Sequence, residues 1–133
     1  MKPVSCSCHK CRTMCARSTC VPTPEQAREL IRRGYGARLA TYEFRLGGPK
    51  LVAPAPRGRE GARGLPDTLQ GACTFYRDGL CELHTLGLKP LEGQLAHHDR
   101  PWPPIRMHVA SQWQHGRRFD SIVAALDRAT AAH

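Results

Sequence analysis

A chain of 133 residues with 20 Lys and Arg against 11 Asp and Glu, a formal charge of +9 and a pI near 9.7, has room for one modest core and favours an anionic partner such as nucleic acid, an acidic protein or an anionic membrane surface. Aromatic residues make up only 6%, mean hydropathy is −0.46, and 12 Gly with 11 Pro imply much irregular backbone, so a small core would gain from a cross-link. No apolar run approaches the roughly 18 residues of a spanning helix, and Met1-Lys2-Pro3-Val4-Ser5-Cys6 lacks the apolar stretch of a secretory signal, so the expectation is a cytoplasmic protein with no membrane span.

In chain order, residues 1–22 come first and hold five of the seven cysteines, at Cys6, Cys8, Cys11, Cys15 and Cys20. They show neither helical nor strand periodicity, which predicts a loop shaped by ligation of its thiolates. Thr23, Pro24 and Gln26 then form a capping-box start, and Gly34 a stop, for a helix over 24–33 whose apolar side is Ala27, Leu30 and Ile31. Leu39 to Leu46 alternates as a strand with one buried face, and Gly47-Gly48-Pro49 turns it into a partner strand over Lys50 to Ala53.

The segment 54–70 is rich in turn formers and carries Arg57, Arg59 and Arg63. It reads as a basic loop, either a solvated connector or an arm for phosphate contacts. Ala72 to Tyr76 and Leu80 to Leu83 flank the turn signal Asp78-Gly79 and predict a second hairpin, with Cys73 at its start and Cys81 just past its turn. Residues 87–99 read as an ordered loop or a short turn of helix. Ile105, Val109 and Trp113 mark a helix over 104–114, Gly116 breaks it, and Phe119, Ile122, Val123 and Leu126 mark a last helix over 119–131, the two forming a C-terminal helical hairpin.

Clustered cysteines in a reducing compartment favour ligation over disulfides, and seven thiols cannot all pair within one chain. Spacings of two to four residues let one loop give several thiolates to one ion, and Cys73 and Cys81 can close the shell from across the fold. Four sulfur ligands suit tetrahedral zinc or an iron–sulfur cluster, with zinc the first expectation. Cys20 is an optional thiol, and His84, three residues after Cys81, and His97 are further candidate ligands. A nucleophilic cysteine beside His9, His84 or His97 is the competing reading, but no local protease-like or oxidoreductase-like signature accompanies it, so no catalytic residue is expected.

The pattern Cys6-x-Cys8-x2-Cys11-x3-Cys15, the helix opened by Thr23-Pro24-Glu25, and Gly71-x-Cys73-x-Phe75-Tyr76-x-Asp78-Gly79-Leu80-Cys81 together resemble the zinc- or iron-chelating domain family of CxxCxxCC type. The likeness covers residues 6–98, with the basic loop as an insert. It implies metal binding through Cys8, Cys11, Cys15, Cys73 and Cys81, with Cys6 beside them. The chain departs from the family in having no adjacent cysteines and in replacing a late Arg-Pro-x-x-Cys element by Lys89-Pro90 and, further on, His97-His98. The last ligand is therefore open among His97, His84 and Cys6.

The combined expectation is a single α+β domain over 1–133, small, irregular and metal-stabilised. It would have short β-hairpins and one N-terminal helix, a cysteine-rich metal-binding core over 1–99 and the helical hairpin over 100–133. Its metal would serve a mainly structural or interaction role. The alternatives are an iron–sulfur redox protein and a metal-propped nucleic-acid-binding module using Arg57, Arg59, Arg63, Arg117 and Arg118.

Overall fold

A computed structural model describes residues 17–43, 48–66, 71–95, 102–114 and 116–131. Its first helix, α1 (Pro24–Arg32), starts by the predicted capping box: Gln26 N–H donates to Thr23 Oγ1 at 3.1 Å, and Thr23 N–H donates to Gln26 Oε1 at 3.0 Å. Ala27, Leu30 and Ile31 are buried as the periodicity predicts. On the outer face the guanidiniums of Arg32 and Arg33 hold the Glu29 carboxyl down at about 2.

Strand β1 (Leu39–Glu43) pairs antiparallel with β2 (Lys50–Pro54) in the register Leu39↔Pro54 to Glu43↔Lys50. A short β3 (Leu65–Pro66) pairs parallel to β1 at Tyr42↔Leu65, giving the order β2-β1-β3. The expected one-sided burial of β1 is corrected: Leu39, Ala40, Thr41 and Tyr42 are all buried, because β1 is the central strand and is covered on both faces. Residues 44–46 of the expected strand lie outside the described residues.

The basic loop is docked rather than a free connector. Thr41 N–H donates to Ala62 O at 3.0 Å, Gly64 N–H donates to Thr41 Oγ1 at 2.7 Å, and Arg63 pairs with Asp127 at 2.8 Å. Proline and glycine in this stretch thus serve turns that lay the chain back along β1.

The second hairpin is shorter than expected, with β4 (Tyr76–Arg77) pairing antiparallel to β5 (Leu80–Cys81). Its two-residue turn has φ of 52° at Asp78 and 80° at Gly79, the paired positive values of a type I′ turn that an Asp-Gly sequence selects. The expected strand at 72–75 contributes one bridge, Pro56↔Cys73, and the return strand yields after Cys81 to helix α2 (Glu82–Thr85). Burial of Phe75 and Leu83 drives that change. Arg38 fixes it from the sheet side: its guanidinium lies 4.1 Å from the Phe75 ring centre and donates to Thr74 O and Glu82 Oε2, each at 2.8 Å.

The C-terminal third contains α3 (Leu91–Leu95), α4 (Trp102–Ala110) running into a 3-10 turn at Ser111–Trp113, and α5 (Gly116–Thr130). Ile105, Val109 and Trp113 are buried as predicted. Gly116 opens the last helix instead of only ending the previous one. That helix finds its main packing on α1 and β2, and meets the preceding helix through the 3-10 turn. The fold is α+β, and among the described residues no helix is long and apolar enough to cross a membrane.

Tyr42 gives the fold a signature in base. Burial pushes its hydroxyl up to about 12, where it donates to Pro54 O at 2.8 Å. A raised folded-state value means that the contribution is complete below pH 10, where the unfolded tyrosine ionises, and is lost as pH rises toward 12. The loss is about 3 kcal/mol at 1.36 kcal/mol per unit. Absorbance titration near 295 nm should show a tyrosine step near pH 12, and Tyr42→Phe should remove it.

Candidate metal centre

Residues 18–22 belong to no helix or strand, so their polar backbone groups need partners elsewhere. The C-terminal third supplies them. Arg106 Nη2 donates to Thr19 O at 2.6 Å, Val21 N–H donates to Glu92 Oε1 at 2.7 Å, Glu92 N–H donates to Val21 O at 3.1 Å, and Trp113 Nε1–H donates to Pro22 O at 2.9 Å. From the sheet, the Thr19 hydroxyl meets the Tyr42 hydroxyl at 3.3 Å.

Cys20, fixed between these anchors, is buried and lines a small recess together with Cys73 and Cys81. Pro54, Leu83, Lys89 and Pro90 complete its walls. Cys73 comes from the Pro56 bridge, flanked by Arg57 N–H to Ala72 O at 2.7 Å and Thr74 N–H to Ala55 O at 2.9 Å. Cys81 ends β5 opposite Tyr76 and caps α2. The Asp-Gly turn therefore brings Cys73 and Cys81 to one place, as their spacing predicts.

Cys20, optional on the sequence, shares that place with them. Its membership is not legible in the sequence because it depends on Glu92 and Arg106, whose pairing with each other and with residues 18–21 is long-range. His84 is exposed on α2 and does not line the recess, since the helix turns Leu83 inward instead. Cys6, Cys8, Cys11, Cys15 and His97 lie outside the described residues.

Among the described residues no group of three or more His, Cys, Asp or Glu side chains is arranged to hold an ion. The chemistry of the donor set nevertheless suits a thiophilic cation: three thiol side chains line the recess, with Pro54, Leu83, Pro90 and Lys89 around them. Gly71 N–H donates to Arg17 O at 3.0 Å, joining the backbone two residues after Cys15 to the backbone two residues before Cys73.

Gly93 packs against two residues of the recess wall, since a Cβ there would stand 2.9 Å from Lys89 Cε and 3.3 Å from Cys20 Sγ. The lysine stem can swing aside, but the sulfur has to shift. Gly93→Ala should therefore forfeit the roughly 1 kcal/mol that alanine gains over glycine inside a helix. Thermal melts should show no gain, and a rise of several degrees would mean the contact is soft.

Comparison of the chain with models of known protein families, with curated proteins and with solved structures finds no match in any of the three.

Proposed function

We propose that the protein carries one thiolate-rich metal centre, zinc first and an iron–sulfur cluster as the alternative, in a structural or interaction role within the cytoplasm. The observation that carries this reading is the shared recess of Cys20, Cys73 and Cys81, three thiols from sequence positions up to 61 residues apart. The ligands to complete a shell would come from Cys6, Cys8, Cys11 and Cys15, the last of which is two residues from Arg17 in sequence, with His97 as a further donor. A bound ion would tie the N-terminal run to the hairpin and add binding energy directly to folding.

Elemental analysis with absorbance spectra of anaerobically purified protein tests this. Stoichiometric zinc in a colourless sample supports the first form, and iron with sulfide in a brown sample that bleaches on reduction supports the second. A colourless, metal-free but fully folded chain sinks both.

The nucleic-acid reading draws less support. Arg57 donates to Tyr76 O, Arg63 pairs with Asp127 at 2.8 Å, and Arg118 pairs with Glu25 at 3.2 Å, so three of the five arginines it needs are engaged within the fold.

A further inference from the structure

We infer that Cys20 is a ligand of the proposed centre and that Glu92 and Arg106 are the positioning residues that deliver it. The inference rests on the proposed thiolate centre and adds to it a third of the chain that the cysteine pattern does not touch.

The argument begins with the cost of the pair. Glu92 is fully buried and Arg106 nearly so, and a buried ion pair is often no better for stability than apolar residues of the same volume. What apolar residues cannot do is grip a backbone that lacks secondary structure. Glu92 Oε2 accepts from Arg106 Nε at 2.8 Å, while Oε1 accepts from Arg106 Nη2 at 3.2 Å and from Val21 N–H at 2.7 Å. Arg106 Nη2 reaches on to Ser18 Oγ at 3.0 Å and to Thr19 O at 2.6 Å. The two residues flanking Cys20 are thus gripped by opposite members of one ion pair, and the thiol between them lines the same recess as Cys73 and Cys81. Charge-assisted bonds of this kind fix direction as well as distance.

The test uses the full-length chain, zinc as the probe, and four variants: Glu92→Gln, which keeps an oxygen for Val21; Arg106→Lys, which keeps the charge but loses the fork; Cys20→Ser; and Glu92→Gln with Cys20→Ser. Zinc affinity is measured by competition with a chromophoric chelator. Alkylation of each cysteine in metal-free protein is followed by mass spectrometry, with circular dichroism confirming the fold. Glu92→Gln and Arg106→Lys should each weaken zinc binding by about tenfold or more, the size of effect outer-shell partners have on metal affinity, and Cys20→Ser, which removes a ligand, by at least as much. The two positioning variants should alkylate faster at Cys20 with Cys73 unchanged, and the double variant should be no worse than Cys20→Ser alone. Multiplicative losses in the double variant, or wild-type affinity in Cys20→Ser, overturn the inference. A wild-type chain that takes up no zinc or iron removes the centre itself, whereas unchanged Cys20 alkylation in both positioning variants removes only their role. If Glu92→Gln does not fold, Arg106→Lys carries the same comparison.

Discussion

Cys73→Ser is expected to empty the centre as completely as Cys11→Ser, although the two positions are far apart in sequence. Cys73 is 3% exposed in a recess it shares with two other thiols, so its side chain has no role in solvent and no room to be replaced by a neighbour. Serine keeps the size but does not ionise near neutral pH, and its hydroxyl is a poor ligand for a borderline-soft cation. Structural zinc contributes roughly 10 to 16 kcal/mol of apparent binding energy at neutral pH, more than the whole stability of most small domains. Loss of a ligand should therefore appear as metal-free protein with a much lower unfolding midpoint. Unchanged metal content in Cys73→Ser and Cys81→Ser would mean that the N-terminal run binds alone.

Glu92→Ala should be the most damaging substitution outside the cysteines, costing about 3 to 5 kcal/mol, because it removes the buried carboxylate that pairs with Arg106 and accepts from the Val21 N–H. Glu82→Ala supplies the contrast. That carboxylate also pairs with an arginine at 2.8 Å, but its side chain is 34% exposed and its partner Arg38 is 25% exposed, so the expected cost is about 1 kcal/mol or less. Urea unfolding of both variants checks the difference. Glu92→Leu with Arg106→Met should recover much of the lost stability without recovering zinc affinity, since apolar packing replaces the pair's burial but not its grip on residues 18–22. Recovery of both would make the pair a packing element only.

Local signals carried well from sequence to fold where the chemistry is local. The Thr23 capping box, the Asp78-Gly79 turn and the Ile105, Val109 and Trp113 stripe each depend on residues within a few positions of one another, and each forms as expected. Long-range choices were not legible. The short parallel strand at Leu65–Pro66 exists only because β1 offers it an edge, and the helix after Cys81 exists because Leu83 finds a buried seat beside the recess. The packing of α5 on α1 and β2 likewise depends on faces that many partners could cover.

The candidate site divides in the same way. Cys73 and Cys81 were legible together because one tight turn sets their separation. Cys20 was ambiguous, because its place depends on an ion pair 14 residues apart in sequence that grips the chain more than 70 residues upstream. His84 looked like a ligand by spacing alone, and one turn of helix carries it to the surface.

The central claim is that thiols from both ends of this cysteine pattern serve one ion or cluster. Metal content per chain after anaerobic purification, measured for the wild type and for Cys73→Ser side by side, tests it most directly. One zinc or one cluster in the wild type and none in the variant is the expected result. A folded wild type without metal, or equal metal in both proteins, contradicts it.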